Sequence, residues 1–317
     1  MLPRWLKLVA TVGVLALLVW QVRWPELLTA VGQISGWGVL AAIALWLPNQ
    51  YLQYLRWKLV ARRAGSAVPA SDIRASYWLG HTLGFVTPGR IGAYGRGLFL
   101  KTVPVREATA LTVLERIYSA LTVNGFGLIA LGLLPALGWH APWANWGQTV
   151  STAMVGVGAA ILTVGLVPGH AARMLVPWLK RRSWGNGVAG ALTSVSSVGA
   201  GASLVYMSLA AGALAVSLVQ FVCLLSALGT SVPLLAGILA VHLNFFLKGN
   251  IPLTLGNLGV GEWTALLCLR GLGVPDAQAV AASLLLFGLN VAIPALIGVR
   301  HLRRVLTIHH DWSRRLG

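Results

Sequence analysis

The chain has 317 residues, of which 57% are hydrophobic and 10% are charged, and its formal net charge is +17. A mean hydropathy of +0.76 is far above that of a soluble domain, which excludes a soluble globular protein. The positive charge does not indicate nucleic-acid binding, because the Lys and Arg residues cluster at the ends of apolar runs, and residues 117–172 and 183–247 contain none. The sequence therefore predicts an all-α integral membrane protein.

Apolar runs predict about eight transmembrane helices, since about 20 apolar residues cross a bilayer. The runs cover residues 5–22, 37–55, 108–136, 149–167, 202–228, 233–247, 251–271 and 277–299. The first run is predicted to be a retained helix, because residues 20–25 offer no small-residue site for signal-peptide cleavage. We expect one polytopic domain over residues 1–317, with a first half of about 1–170 and a second half of about 183–300.

The basic segments predict an orientation in the cytoplasmic membrane. With the N-terminus in the cytoplasm, the basic segments 56–106 and 173–182 and the basic tail 300–317 fall on the cytoplasmic side. The loop 137–148 contains no Lys or Arg and falls outside. Eight crossings return the C-terminus to the cytoplasm, so the number of crossings agrees with the distribution of charge.

Two apolar segments are interrupted by Pro and Gly. Residues 76–97 contain Pro88, Gly89 and Gly92, and residues 248–263 contain Asn250, Pro252, Gly256, Asn257 and Gly259. Irregular backbone at membrane depth is tolerated only where protein or water satisfies its peptide groups. Interrupted segments in corresponding positions of two halves are typical of a transporter's substrate site. We therefore predict two re-entrant segments that face each other, with ordinary loops between helices as the alternative.

Charged residues beside these interruptions are the predicted binding groups. Arg90, Arg96 and Lys248 are candidates to hold an anionic headgroup, because Arg presents a fork of donors to phosphate and Lys presents a movable charge. The alternative is that these cations reach the cytoplasmic headgroups. Glu115 and Arg116 are adjacent on one helix and point in different directions, so we expect Glu115 to pair with Arg90 or Arg96.

Glu262 has two interpretations: it pairs with one of these cations, or it takes up a proton and couples transport to a gradient. The chain has seven Asp and Glu residues, and no DxD, P-loop or G-x-S-x-G motif. We therefore expect no enzyme activity, no metal and no cofactor. These residues favour a transporter for a substrate with an anionic group. The alternatives are a scaffold or partner subunit of an envelope-biosynthesis enzyme and an intramembrane transferase, and a homo-oligomer is left open.

Four motifs in order resemble one family. They are YLRWKLVARRAG (54–65), TPGRIGAYGRGLFLK (87–101), REATALTVLERIYSAL (106–121) and IPLTLGNLGVGEWTALLCLRGLGVPDAQAVAASLL (251–285). They are similar to the flippase-like domain family, also known as the transmembrane region of lysylphosphatidylglycerol synthases, over about residues 40–300. The resemblance implies a helical bundle with re-entrant segments that moves a phospholipid or a polyprenyl-phosphate-linked glycolipid between leaflets. It also implies a stand-alone member without the soluble synthase domain. Where the family usually has an acid after the second motif's Pro-Gly-Arg, this chain has Ala93.

Overall fold

The computed structural model describes residues 24–302 except 66–67, 142, 144–145, 255 and most of 168–197. The described part is built from helices: α1 (Trp24–Gly32), α2 (Gly36–Ala61), α3 (Ala70–Phe85), α4 (Val105–Leu133), α5 (Gln148–Leu166), α6 (Ala200–Ala227), α7 (Leu234–Asn250), α8 (Val260–Leu269), α9 (Asp276–Phe287) and α10 (Ile293–Val299). A 3₁₀-helix, Ile91–Phe99, follows α3, and a π-helical turn, Gly288–Ala292, joins α9 to α10. Shorter 3₁₀ turns extend α2, α4 and α8.

Four of the described helical stretches are long and apolar enough to cross a membrane. They are Val105–Leu137, Gln148–Leu166, Ala200–Ala227 and Asp276–Val299, and they match four predicted crossings. The prediction of an all-helical, multi-pass membrane protein is therefore confirmed, whereas the number of eight crossings stays a prediction. The predicted crossing 5–22 and most of the basic tail lie outside the described residues.

Three other predicted crossings take different forms. Helix α2 has 26 residues and carries buried polar side chains near its end. Helix α7 is a shorter apolar helix of 17 residues. The run 251–271 is not one helix, because Pro252 and the positive φ angles of Gly256 and Gly259 interrupt the backbone before α8 begins. The sequence therefore predicted where these apolar segments lie, but it did not predict the lengths of the helices they form.

Small residues allow the helices to pack closely. A Cβ added to Gly125 of α4 would lie 3.1 Å from the carbonyl oxygen of Gly158 in α5. A Cβ on Gly38 of α2 would overlap the side chain of Ala227 in α6. Lipid tails are as apolar as leucine, so contact between membrane helices depends on such close van der Waals packing. These glycines bring α4 against α5 and α2 against α6.

Buried apolar side chains form two clusters. One contains Trp57, Tyr77 and Tyr118, and the other contains Phe221 and Leu243. The polar atoms of the first cluster are satisfied: the indole of Trp57 donates to Ser76 Oγ at 2.8 Å, and the hydroxyl of Tyr77 donates to Gln50 Oε1 at 2.9 Å. Such pairing removes most of the cost of burying these groups. The clusters hold the helices that line the polar cavity described below.

Candidate functional site

The two interrupted segments meet through their backbones. The amide of Gly89 donates to the carbonyl of Thr254 at 3.0 Å, and the amide of Gly256 donates to the carbonyl of Thr87 at 3.2 Å. These reciprocal bonds satisfy peptide groups that lie beyond the ends of both helices. We call the contact between residues 87–90 and residues 252–254 and 256–257 the junction. The interruptions therefore face each other as predicted, whereas their re-entry from one side of a membrane stays a prediction.

The junction depends on backbone in the left-handed region. Gly89 has a φ of +58° and Gly256 a φ of +60°, and Arg90 and Asn257 beside them have φ angles of +58° and +65°. For a residue with a Cβ this conformation costs about 1–2 kcal/mol. Strained residues of this kind cluster at functional sites, where the surrounding structure holds them. The left-handed backbone thus sets the direction of the Arg90 and Asn257 side chains, and both residues line the cavity beside the junction.

Gly89→Ala is expected to destabilise the protein by more than the backbone strain at its positive φ angle. A Cβ at Gly89 would overlap Pro252, so the junction must open to admit it. Gly138 also has a positive φ, of +77°, but a Cβ there would meet nothing within 4 Å. Gly138→Ala should therefore cost only the backbone strain of about 1–2 kcal/mol, and Gly89→Ala about 1–3 kcal/mol more. Thermal unfolding of both variants in detergent checks this, and equal unfolding midpoints would contradict a closely packed junction.

A cavity of about 380 Å³ lies beside the junction and is lined by residues within 53–124 and 210–291. Its charged lining residues are Arg56, Arg90, Arg116, Lys248 and Glu262. Its other polar lining residues include Gln53, Tyr94, Ser119, Thr122, Asn124, Ser217, Asn250, Asn257, Ser283 and Asn290. This volume is in the range of small-ligand sites, which are usually about 300–1,000 Å³. Four cations facing one carboxylate make the described lining favourable for an anion.

The structure divides the predicted site residues into two sets. The cavity is lined by Gly89, Arg90, Arg116, Lys248, Asn250, Gly256, Asn257 and Glu262. Pro88, Gly92, Arg96, Glu115, Pro252 and Gly259 are not among the lining residues. Three of this second set shape the breaks: Pro252 packs on Gly89, the amide of Gly92 donates to Thr87 Oγ1 at 2.7 Å, and Gly259 precedes α8.

Arg96 and Glu115 belong to a buried ion cluster behind the cavity. Glu115 Oε1 accepts hydrogen bonds from Arg56 Nε at 2.9 Å and Arg56 Nη2 at 2.5 Å, and its other oxygen pairs with Arg96. Arg116 Nε lies 3.8 Å from the same carboxylate. The guanidinium of Arg96 also lies 4.1 Å from the ring centroid of Trp57, a favourable cation–π distance. The cluster fixes Arg56, which lines the cavity, and lies next to Arg116, which also lines it.

The partner of Glu115 was predicted in part. Its pairing with Arg96 is confirmed, whereas Arg90 is not its partner, and Arg56 was missed. One signal could have identified Arg56: Asn49, Gln53 and Arg56 are spaced by four and three residues, which places them on one face of α2. Gln53 and Arg56 line the cavity, and Gln53 donates to Asn49 at 2.5 Å. A polar stripe inside an otherwise apolar helix therefore indicated the cavity.

Glu262 is bonded to neutral groups rather than to a cation. Its buried carboxylate accepts the amide of Gly259 at 2.6 Å and the hydroxyl of Ser283 at 3.1 Å. The first bond caps the N-terminus of α8. Among the ion pairs of the described residues none includes Glu262, so the pairing that the sequence left open is not observed. Both carboxylate oxygens are instead engaged by the protein.

Lys248 and Arg90 line the cavity without a carboxylate partner. Lys248 Nζ lies 4.0 Å from the ring centroid of Phe245, and no described carboxylate lies within 4 Å of it. Arg90 Nη2 lies 3.4 Å from His81 Nδ1, and Arg90 Nε is buried with no hydrogen-bond partner in the described part of the chain. Cations that are half-buried without a counter-ion favour an anionic ligand.

Ala93 explains part of this missing charge. A Cβ on Gly84 would lie 3.2 Å from Ala93 Cβ and 3.6 Å from Arg90 Nε, so residues 90 and 93 flank the same glycine. An acid at position 93 would stand beside Arg90. Because alanine stands there and is fully buried, Arg90 gains no charge partner from its own 3₁₀-helix.

Comparison with known proteins extends the resemblance of the motifs. The family described as lysylphosphatidylglycerol synthase TM region matches residues 4–298. The match includes both interrupted segments, the ion cluster and every lining residue of the cavity. No curated protein matches the chain.

Proposed function

The chain belongs to the lysylphosphatidylglycerol synthase TM family of flippase-like membrane domains, and we propose that it translocates an amphipathic anionic lipid between the two leaflets of the cytoplasmic membrane. One observation carries the proposal. A cavity with four cations and one carboxylate lies where two interrupted helical segments meet. A polar, positively charged cavity inside an apolar bundle offers a headgroup phosphate the hydrogen-bond donors and positive charge that the bilayer interior lacks.

The lining residues have separate roles in this proposal. Lys248 and Arg90 hold the phosphate, because neither has a carboxylate partner among the described residues. Arg56 and Arg116 supply further positive charge, and Glu115 positions them from behind. Hydrogen bonds to charged groups strengthen where water is excluded. The headgroup would exchange its hydration for these donors during the crossing.

The lipid tails are proposed to stay in the bilayer. A cavity of about 380 Å³ accommodates a headgroup but is far too small for two acyl chains. The outer surface beside the junction is apolar and exposed at Phe85, Val86, Ile91 and Leu253. Such a surface is compatible with lipid tails beside a headgroup that has entered the protein. Alternating access of the two halves would then carry the headgroup from one leaflet to the other.

The same proposal includes an orientation. Both termini lie in the cytoplasm, because the segments 56–106 and 173–182 and the tail 300–317 hold most Lys and Arg residues. A cysteine introduced at position 143, in the predicted outer loop, should react with a membrane-impermeant thiol reagent on intact cells. A cysteine at exposed Lys101 should react only after the cells are opened. The reverse pattern would contradict the orientation.

Transport is tested by reconstitution into liposomes. Fluorescent phosphatidylglycerol and a polyprenyl-phosphate-linked sugar are placed in one leaflet, and their appearance in the other is measured with a membrane-impermeant quencher. We expect at least one of them to cross faster than in protein-free liposomes. If neither crosses faster, the proposal fails and a scaffold or partner subunit is favoured. Chemical turnover of the lipid-linked sugar would instead favour a transferase.

A further inference from the structure

Glu262 is a carboxylate in the wall of the cavity whose hydrogen-bond partners are both neutral. We infer that Glu262 takes up one proton, through the hydroxyl of Ser283, when a headgroup phosphate binds in the cavity, so that proton and lipid cross together. This inference rests on the proposed function and names its driving force, a difference in pH across the membrane. Two observations carry it: the partners of the two carboxylate oxygens, and the charges around them.

The first observation is that the two oxygens of Glu262 have different kinds of partner. Oε2 accepts the backbone amide of Gly259 at 2.6 Å, a donor fixed at the N-cap of α8. Oε1 accepts the hydroxyl of Ser283 in α9 at 3.1 Å. A hydroxyl group donates or accepts, because its proton turns to suit its partner. A protonated Oε1 would therefore donate to Ser283 Oγ while Oε2 keeps its bond, so both forms of Glu262 keep two hydrogen bonds.

Ser283 connects Glu262 to the cavity. Both residues line it, and a Cβ on Gly261 would lie 3.5 Å from Ser283 Oγ and 3.8 Å from Lys248 Cδ. In the proposed transfer, a hydronium ion in the cavity gives a proton to Ser283 Oγ while the hydroxyl proton of Ser283 moves to Glu262 Oε1. The products are water, an unchanged serine and a neutral carboxylic acid, and release reverses each step. The headgroup therefore does not have to touch Glu262, which is buried.

The second observation is that no ion pair holds Glu262 in its charged form: within the described structure no cation lies within 4 Å of its carboxylate. The helices α7 and α9 pack closely against α8. Helix α7 carries the titratable residues His242 and Lys248, and α9 carries Asp276, which pairs with Arg270 at 2.5 Å. The other charged residues that line the cavity are Arg56, Arg90 and Arg116.

A bound phosphate makes protonation of Glu262 more favourable. Without lipid, Glu262 is the acid among the described lining residues and faces the four cations of the cavity. A phosphodiester adds a second negative charge, and like charges repel strongly in a medium of low dielectric constant. A proton on Glu262 removes that repulsion. Each ligand therefore raises the affinity for the other by the same factor, as linkage requires.

The proton also balances the charge of the lipid. A phosphodiester with one negative charge and one proton together carry no net charge. Their joint movement is therefore driven by a difference in pH and is little affected by the membrane potential, which acts on net charge that crosses. The lipid is expected to move from the more acidic side of the membrane to the more alkaline side.

Binding of short-chain phosphatidylglycerol to the purified protein in detergent tests the linkage directly. The phosphodiester keeps the same charge between about pH 6 and about pH 8, so a change in affinity reports on the protein. We expect binding to be about tenfold tighter at the lower pH, a coupling in the usual range for two sites. Calorimetry in two buffers with different heats of ionisation should show that protons are taken up as the lipid binds, up to one proton per lipid.

Glu262→Gln distinguishes Glu262 from the other titratable groups. Glutamine keeps an oxygen that accepts the amide of Gly259, so the cap of α8 is retained, and it imitates the protonated acid. The variant should bind phosphatidylglycerol equally tightly at both pH values and take up no proton. Glu107→Gln, at an exposed position in the first turn of α4, is the matched control and should keep the tenfold difference.

Lys248→Arg tests the other titratable residue of the cavity wall. Arginine stays charged at both pH values, so the difference in affinity between them should persist in this variant. Loss of the difference in Lys248→Arg, or its persistence in Glu262→Gln, would overturn the role of Glu262. The calorimetric proton uptake of the unmodified protein is independent of both variants, and its absence would also overturn the inference.

Liposomes with a difference in pH extend the test to transport. Fluorescent phosphatidylglycerol should leave the more acidic side faster than the more alkaline side, and Glu262→Gln should abolish this asymmetry. Movement at one rate in both directions, with no proton taken up on binding, would refute the inference and leave the proposed function standing. Proton uptake on binding without any movement of lipid would refute the proposed function, while the linkage of proton and phosphate would stand.

Discussion

Replacing Lys248 with methionine is expected to reduce translocation of an anionic lipid about tenfold to hundredfold, the effect of losing a hydrogen bond to a charged group of about 1.5–3 kcal/mol. Methionine keeps an unbranched apolar side chain that can pack against Phe245, and it removes the charge. Lys248 is half-buried in the cavity wall with no described carboxylate within 4 Å, so its charge is available to a ligand. The measurement is the initial rate of lipid movement in liposomes.

The matched control is Lys101→Met. Lys101 is exposed and does not line the cavity, so this variant removes the same charge from the protein without touching the site. Its transport rate should stay within a factor of two of the unmodified protein, since exposed substitutions usually change little. Lys248→Arg keeps the charge and should retain most of the rate. Equal rates for Lys248→Met and Lys101→Met would refute the assigned role of Lys248.

Glu115→Ala should cause the largest loss of stability among the substitutions considered. It leaves Arg56 and Arg96, each 5% exposed, without their shared carboxylate. Removing one partner of a buried ion pair typically costs about 3–5 kcal/mol, because the remaining charge stays buried and uncompensated. We expect a strongly lowered midpoint of thermal unfolding in detergent, measured by intrinsic tryptophan fluorescence.

Glu107→Ala is the control for this loss of stability. Glu107 lies in the first turn of the same helix, α4, and is exposed. Its removal should cost less than about 1 kcal/mol, through a weaker interaction with the helix dipole. The double variant Glu115→Ala, Arg96→Ala should be more stable than the sum of the two single losses predicts, because the two residues interact directly. Additive losses would contradict the pairing.

The sequence predicted the helical class and the junction for clear physical reasons. Long apolar runs have few folded alternatives to a membrane helix, because lipid leaves peptide groups no partner outside the chain. Pro88 with Gly89 and Pro252 with Gly256 marked the two breaks, since these residues end helices and permit left-handed backbone. The division into two halves and the orientation stay predictions.

Individual side chains were harder to predict. Arg90 and Arg96 follow the same break, yet Arg90 lines the cavity and Arg96 is buried against Trp57 and Glu115. The direction of each depends on the left-handed backbone at residue 90 and on a 3₁₀-helix, whose three-residue turn differs from that of an α-helix. The sequence pattern places Arg56 in a basic segment that predicts orientation, because a cation near the end of an apolar run has the same pattern whether it is exposed or buried.

The ion cluster and the junction differ in how much of the chain must be synthesised before all of their residues are present. Arg56, Arg96 and Glu115 all lie between positions 56 and 115, so every member of this cluster is present once α4 has been synthesised. The junction joins residues about 165 positions apart, and Asn49 reaches Ser217 across 168 positions. Contacts of such long range form only after the later helices have emerged. The ion cluster therefore needs only the chain up to α4, whereas the cavity needs the chain as far as Val291, the last of its described lining residues.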